Sequence, residues 1–285
     1  MKIPKPDIKV TEVFDSCLSN MRTANQQLFR PCLPEIITST EEYEHHMENG
    51  NHENVTLSES ISGVPKNELE KLYTAKLSKT KQPARKFYDE IISAAPMGLC
   101  PYCRQQIVST LDHYYPKAHY ISLVITPTNL VPSCTNCNKN KSDVVIHRKE
   151  DAILNPYYED SDSLIWLSAA LVKDLTSDFL TMTFFVLPPD NCDPILRARL
   201  EKQFVLLHLN DLYSKHAAEE MIAVFNRHSR IYKVAGVEGV KESVLESLEE
   251  NGYRPNSWQS AMYRALNDEW YLNEWLPQKC REGAV

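Results

Sequence analysis

The sequence predicts a mainly α-helical chain with a small metal-centred α+β module embedded in its middle. Three observations carry that prediction. Apolar residues recur at helical spacing through both flanks, two Cys-x-x-Cys pairs stand together in the middle, and 285 residues are ample for a hydrophobic core around such a module. The division that follows is an N-terminal helical region over residues 1–95, the metal-centred module over 96–149, and a mostly helical domain over 150–285.

Taken in order, residues 1–50 alternate polar and apolar positions at helical spacing without strong caps. The stretch "HHMENGNHENVT" marks a break, and His45, His46 and His52 lie in it as an exposed polar turn, since no cysteine or carboxylate partners them. "NELEKLYTAKL" and "ARKFYDEIISAA" are short amphipathic helices, and Pro96 and Gly98 turn the chain into "CPYC". Beyond the module, "LIWLSAALV" and "FLTMTFFVLPP" are apolar, β-branched and aromatic, and most simply predict two strands separated by polar "KDLTSD", with a helix as the alternative for the first. A strongly helical stretch then starts with Asp193 as N-cap and Pro194 at the first helical position; its Leu196, Leu200, Phe204 and Leu207, three or four apart, are core. Gly252 is a candidate helix C-cap, and Ser257 an N-cap for the last helical run.

Eight cysteines divide into two knuckles, Cys100/Cys103 and Cys134/Cys137, and four single residues, Cys17, Cys32, Cys192 and Cys280. Paired spacing predicts one four-thiolate zinc site with reduced thiols, although the 30 residues between the pairs exceed what a compact zinc ribbon needs. No run approaches the roughly 18 apolar residues of a membrane span, and "MKIPKPDIKV" lacks an apolar leader core, so the expected location is the cytoplasm.

The net charge of -7 argues against a polyanionic partner, but its distribution reverses the argument. Residues 71–149 hold 12 Lys and Arg against 4 acids, a charge of +8, which leaves -15 for the remainder. This basic segment runs directly into the metal knuckles and predicts an electrostatic footprint for nucleic-acid phosphates. Binding by so small a basic area should be weak and steeply salt-dependent.

The insert between the knuckles holds adjacent Asp112 and His113 in "DHYYP", then Asn129 in "NLVPSC", and the second knuckle continues as Cys137-Asn138 with Lys139 and Lys141 behind it. In this order, C-x-x-C, D-H-x-x-P and N-L-x-P-x-C-x-x-C-N-x-x-K, the segment from Cys100 to Lys141 resembles the HNH endonuclease superfamily. The resemblance implies a ββα-metal fold, making the fold class mainly α with an embedded HNH module (α+β). A motif this small cannot hold itself together by apolar burial, and a closed shell of Cys100, Cys103, Cys134 and Cys137 on Zn²⁺ leaves no open position for chemistry.

The resemblance assigns catalysis to a second cation, Mg²⁺ or Mn²⁺, with Asp112 and Asn138 as its ligands, and to His113 as a general base of near-neutral pKa. Asn129 would orient the loop and the His113 ring. Lys117, Lys139 and Lys141 would contact nucleic acid, Lys141 from near the start of the helix. Tyr102, Tyr114 and Tyr115 stack on bases or pack around the zinc; His119 is a loop histidine, and His147 faces solvent or phosphate. The implied activity is metal-dependent hydrolysis of phosphodiesters, of double-stranded DNA first; an RNA (tRNA) nuclease and a zinc-knuckle binding or adaptor module without catalysis are the alternatives.

The flanks, through "LNPYYED" and "RARLEKQFVLLHLNDLY", more weakly resemble the HNH subunits of Septu-type antiphage defence systems, also found with retrons. That resemblance implies an ABC- or AAA-type ATPase partner, on a separate chain because no Gly-rich Lys-Ser/Thr loop is present, docking on residues 150–285.

Overall fold

The computed structural model of the chain describes residues 2–173, 180–252 and 254–282. It is mainly helical with three two-stranded antiparallel sheets, as the sequence predicts. The order is α1 (Val10–Leu18), α2 (Thr23–Phe29), α3 (Leu33–Glu48), β1 (Ser60–Ile61), β2 (Val64–Pro65), α4 (Lys66–Lys71) running into a π-helical turn at Leu72–Leu77, α5 (Arg85–Ser93), β3 (Thr110–His113), β4 (Leu130–Ser133) and α6 (Thr135–Lys141). Then follow β5 (Leu167–Lys173), β6 (Leu180–Val186), α7 (Pro194–Leu206), α8 (Leu209–Glu250), α9 (Trp258–Leu266) and, after a π-helical turn at Tyr271–Trp275, α10 (Leu276–Glu282).

The chain divides into two compact units, Met1–Ser161 and Asp162–Val285. The boundary expected at 95/96 separates residues that share one core. Val13 and Phe14 of α1, Ile36 of α3, Leu69 of α4 and Phe87 and Ile91 of α5 form a single buried cluster with Leu111 of β3, Leu130 of β4 and Ile121, Val124 and Ile125 of the loop between them. Each fully buried Leu or Ile contributes about 1.5–3 kcal/mol relative to exposure, so the hairpin of the middle segment is held by the N-terminal helices as well as by its cysteines. The second expected boundary, at 149/150, moves to 161/162 because Ala152, Ile153, Leu154 and Tyr157 are buried and Tyr157 Oη donates to the Leu130 carbonyl at 2.7 Å.

The break expected at residues 45–56 begins later. His45 and His46 complete the last turn of α3, and the chain turns at Gly50, whose φ of +65° favours glycine. His52 is 2% exposed, with Nε2 3.8 Å from a Glu159 carboxylate oxygen, so it belongs to the interior and not to a polar turn. Tertiary burial decides this, which a polar local sequence does not reveal.

In the second unit, β5 and β6 pair from Leu167↔Val186 to Lys173↔Leu180 and present Leu167, Met182 and Phe184 inward. Most of the turn expected at "KDLTSD" lies outside the described residues. Asp193 caps α7 by accepting the Leu196 N–H at 2.9 Å, and Pro194 takes the first position. Leu200, Phe204 and Leu207 are buried, whereas Leu196 is only half-buried because it lies in the first, solvent-facing turn. Helix α8 is broken at Gly236, whose φ of +64° a side chain would strain, and ends on Asn251 as its cap with Gly252 one residue further out. Ser257 caps α9 through the Ser260 N–H, and Asn256, fully buried, accepts from the Trp166 and Leu167 N–H groups and so ties the start of β5 to that cap.

Within this core, His228 of α8 is fully buried, with Nδ1 2.9 Å from the Tyr271 hydroxyl; burial, reinforced by the neighbouring Arg227 charge, lowers its pKa to about 4. The folded state therefore prefers the neutral ring. Its contribution to stability is complete above the unfolded pKa near 6.5 and is lost as pH falls through about 4. An NMR titration of the His228 ring should give a midpoint near 4, and His228→Gln should flatten the fall of unfolding free energy between pH 6.5 and 4. A midpoint near 6.5, or an unchanged slope, would contradict this account of the core.

Candidate active site

Pairing of β3 with β4, in register from Thr110↔Ser133 to His113↔Leu130, closes the long insert and brings its ends together. The first knuckle turns ahead of β3, where Arg104 takes a φ of +57° and its N–H meets the Cys100 carbonyl at 2.7 Å. The second sits where β4 enters α6. Cys134 is the N-cap of that helix, its sulfur accepting the Cys137 N–H at 3.4 Å, so one residue both joins the sulfur cluster and caps.

The four buried Sγ atoms lie within 4.8 Å of one another, with Cys103 and Cys134 4.0 Å apart. A tetrahedral zinc with bonds of ~2.3 Å needs sulfurs ~3.8 Å apart, so the cluster fits Zn²⁺. Hydrogen bonds among the sulfurs hold Cys103 and Cys134 below the usual thiol range and push Cys100 and Cys137 above it.

A cleft of about 350 Å³ is lined by Asp112, His113, Lys117, Asn138, Lys139 and Asp143, with Pro116, Ala118 and Ser142 completing the wall. Asp112 and His113 end β3 and Asn138 stands on α6, so the hairpin and helix place on one surface residues that are 25 positions apart in the chain. Asp112 is 3% exposed and both its oxygens are held: Lys141 Nζ donates to Oδ1 at 3.1 Å and Tyr102 Oη to Oδ2 at 2.9 Å. Each oxygen retains a further lone pair, and with the Asn138 amide the hard donor set suits Mg²⁺ or Mn²⁺.

His113 Nε2 lies 2.9 Å from the Val124 carbonyl. A carbonyl only accepts, so Nε2 carries the proton and the neutral ring keeps its lone pair on Nδ1. Burial lowers the His113 pKa to about 4, with Lys117 and Lys141 adding to the effect, in place of the near-neutral value expected from sequence. The ring of Tyr73, from the π-helical turn, meets the imidazole edge-on at 4.4 Å and fixes its plane.

Asn129 is fully buried and acts on backbone: Oδ1 accepts the Tyr115 N–H at 2.8 Å, and Nδ2 donates to the Tyr115 and Leu123 carbonyls at 3.1 and 3.3 Å. Leu123 precedes Val124, so Asn129 holds the strand end and the carbonyl that orient His113. Lys117 and Lys139 line the cleft, Lys117 with its Nζ 3.3 Å from Glu70.

Lys141 departs from its expected place. It is the last residue of α6, 4% exposed, bound to Asp112 and to the His113 carbonyl at 2.7 Å, because the helix begins at Thr135 and has run its length by residue 141. Tyr102, Tyr114 and Tyr115 are all buried and leave no face for a base; the last two donate to the carbonyls of Ile153 and His52. His119 is half-buried in the loop and His147 is exposed. Nothing in the sequence signals the Val124 carbonyl or Tyr73. Tyr102 did carry one, since its place inside the first knuckle puts it within reach of whatever the hairpin presents.

Residues 100–143 match the HNH endonuclease family, and the chain carries an HNH endonuclease domain there. Over 93% of its length it is also similar to Protein ea31 of Escherichia phage lambda, with 25% identity across 290 aligned positions that cover 96% of that protein. No solved structure matches the chain. Among the described residues, no helix is long and apolar enough to cross a membrane.

Replacing Cys134 with Ser should remove a ligand and weaken a helix cap together. Elemental analysis should find about one zinc per chain in the native protein and a loss in the variant, with the melting transition of residues 1–161 lowered while that of the second unit is kept. Full zinc retention by the variant would contradict the assignment.

Proposed function

We propose that the protein is a metal-dependent endonuclease that hydrolyses phosphodiester bonds of double-stranded DNA. The observation that supports this best is the cleft itself, where a buried carboxylate, a tautomer-fixed imidazole and an amide from α6 converge beneath Lys117 and Lys139. A closed zinc shell has structural work only, so the chemistry belongs to this cleft.

Lys117 and Lys139 draw the phosphodiester to the cleft mouth and position the backbone without reading bases. His113, neutral at physiological pH, takes a proton from the attacking water at Nδ1 while the Val124 carbonyl holds the opposite nitrogen. A nearby phosphate charge raises the affinity of the ring for that proton, offsetting the effect of burial when substrate is bound. Asp112 and Asn138 would hold the Mg²⁺ or Mn²⁺, which when bound stabilises the charge that develops on the phosphate and the leaving oxygen. Asn129 keeps the loop in register for His113.

The HNH match supports nucleic-acid cleavage as the class of activity. The Septu-type resemblance of the flanks draws no support, because a phage lambda protein is similar over nearly the whole chain, flanks included. Neither an ATPase partner nor a defence role is part of this proposal.

Purified protein with Mg²⁺ should convert supercoiled plasmid to open forms. His113→Ala should slow this by about 10²–10⁴-fold, the usual worth of a general base. Asp112→Ala and Asn138→Ala should abolish Mg²⁺-dependent cleavage with zinc content unchanged. Equal nicking by native protein and His113→Ala, or cleavage of RNA but not of plasmid, would overturn the proposal.

A further inference from the structure

The charge balance around Asp112 is unusual for a residue offered to a dication. Its Oδ1 shares an ion pair with Lys141, both side chains being at most 5% exposed, and Tyr102 occupies a lone pair on Oδ2. Among the described residues, Lys117, Lys139, Lys141 and Lys66, whose Nζ holds the Ala118 carbonyl of the wall, stand against two carboxylates, Asp112 and Asp143, in and directly behind the cleft. Counting Glu70 beside Lys117 leaves the balance at +1, with no net negative charge to hold a free cation.

We propose that Lys141 is a positioning residue that couples the catalytic cation to substrate: it aims the Asp112 carboxylate while cancelling its charge, so the cleft takes up Mg²⁺ or Mn²⁺ together with a DNA phosphate and only weakly without one. This rests on the endonuclease reading above. The physical reason is that an ammonium in contact with the ligand oxygen repels an incoming dication in a site shielded from water. A phosphodiester supplies both the missing negative charge and an oxygen ligand, as substrate phosphates do for Mg²⁺ in sites with one or two carboxylates. Lys141 also holds the His113 carbonyl, so the same side chain ties the acid to the strand end that carries the base.

The test is Mn²⁺ binding, followed by the loss of the free-ion electron paramagnetic resonance signal, in the full-length zinc-loaded protein carrying His113→Ala, with and without a short DNA duplex. Duplex should tighten Mn²⁺ binding at least about tenfold, and Lys141→Met should tighten binding in its absence by a similar factor and shrink the duplex effect. Tyr102→Phe, which changes no charge, should leave the duplex effect in place. Should Lys141→Met lose its zinc, Lys141→Gln, which keeps a donor for the His113 carbonyl, carries the same expectation. Equal Mn²⁺ affinity with and without duplex, or weaker duplex-free binding on loss of the Lys141 charge, would overturn the inference. If that binding is still abolished by Asp112→Asn, the endonuclease reading survives it; if no Mn²⁺ binding depends on Asp112 even with duplex, both fall.

Discussion

The four-sulfur cluster is the constraint on which the site depends. Strands β3 and β4 are four residues each, too short to hold a register by pairing alone, and α6 has seven residues, below the length at which a helix is stable by itself. Joining Cys100 and Cys103 to Cys134 and Cys137 fixes the strand end, the hairpin and the helix start at one point. A structural zinc can contribute about 10–16 kcal/mol to such an arrangement, more than its few ladder bonds supply. The geometry of the cleft then follows from register: His113 pairs with Leu130 and Asp112 with Val131, and the Asp112 carboxylate meets Lys141 of α6, the helix that Cys134 starts.

The cluster does not act alone. The hairpin's inner side chains, Leu111 and Leu130, enter the same core as α1, α3 and α5, and Tyr43 of α3 donates to the Thr128 carbonyl beside Asn129. The N-terminal helices therefore form part of the scaffold of the site. Their contribution is rigidity at the Asn129 and Val124 end, and the sulfur cluster supplies it at the Asp112 and Asn138 end. His113 depends on both, since its ring is aimed by a carbonyl from the loop while Asp112 beside it is held by a lysine from the helix.

Signals that reside in local spacing were legible in the sequence. The Cys-x-x-Cys pairs gave the cluster, Asp193 and Ser257 gave two helix starts, and apolar runs rich in β-branched and aromatic residues indicated β5 and β6. The segment from Cys100 to Lys141 that resembles HNH proteins is the segment that matches the HNH endonuclease family, residues 100–143. What was hidden depends on tertiary placement. His52 lies in a polar stretch yet is buried, Lys141 belongs to a basic run yet is consumed by Asp112, and the core crosses 95/96 because helix faces in residues 10–93 and the hairpin bury each other. The depressed His113 pKa was equally invisible, since burial and two lysines brought near by folding produce it.

The central claim is a division of labour between a closed sulfur site and an oxygen-lined cleft built on one hairpin and its helix. Anomalous diffraction from crystals of the zinc-loaded His113→Ala protein with duplex DNA and Mn²⁺, recorded at the zinc and manganese edges, tests it most directly. The account predicts a zinc peak among Cys100, Cys103, Cys134 and Cys137 and a separate manganese peak contacting Asp112, Asn138 and a DNA phosphate. Manganese bound away from Asp112, or zinc absent from the four cysteines, would contradict it.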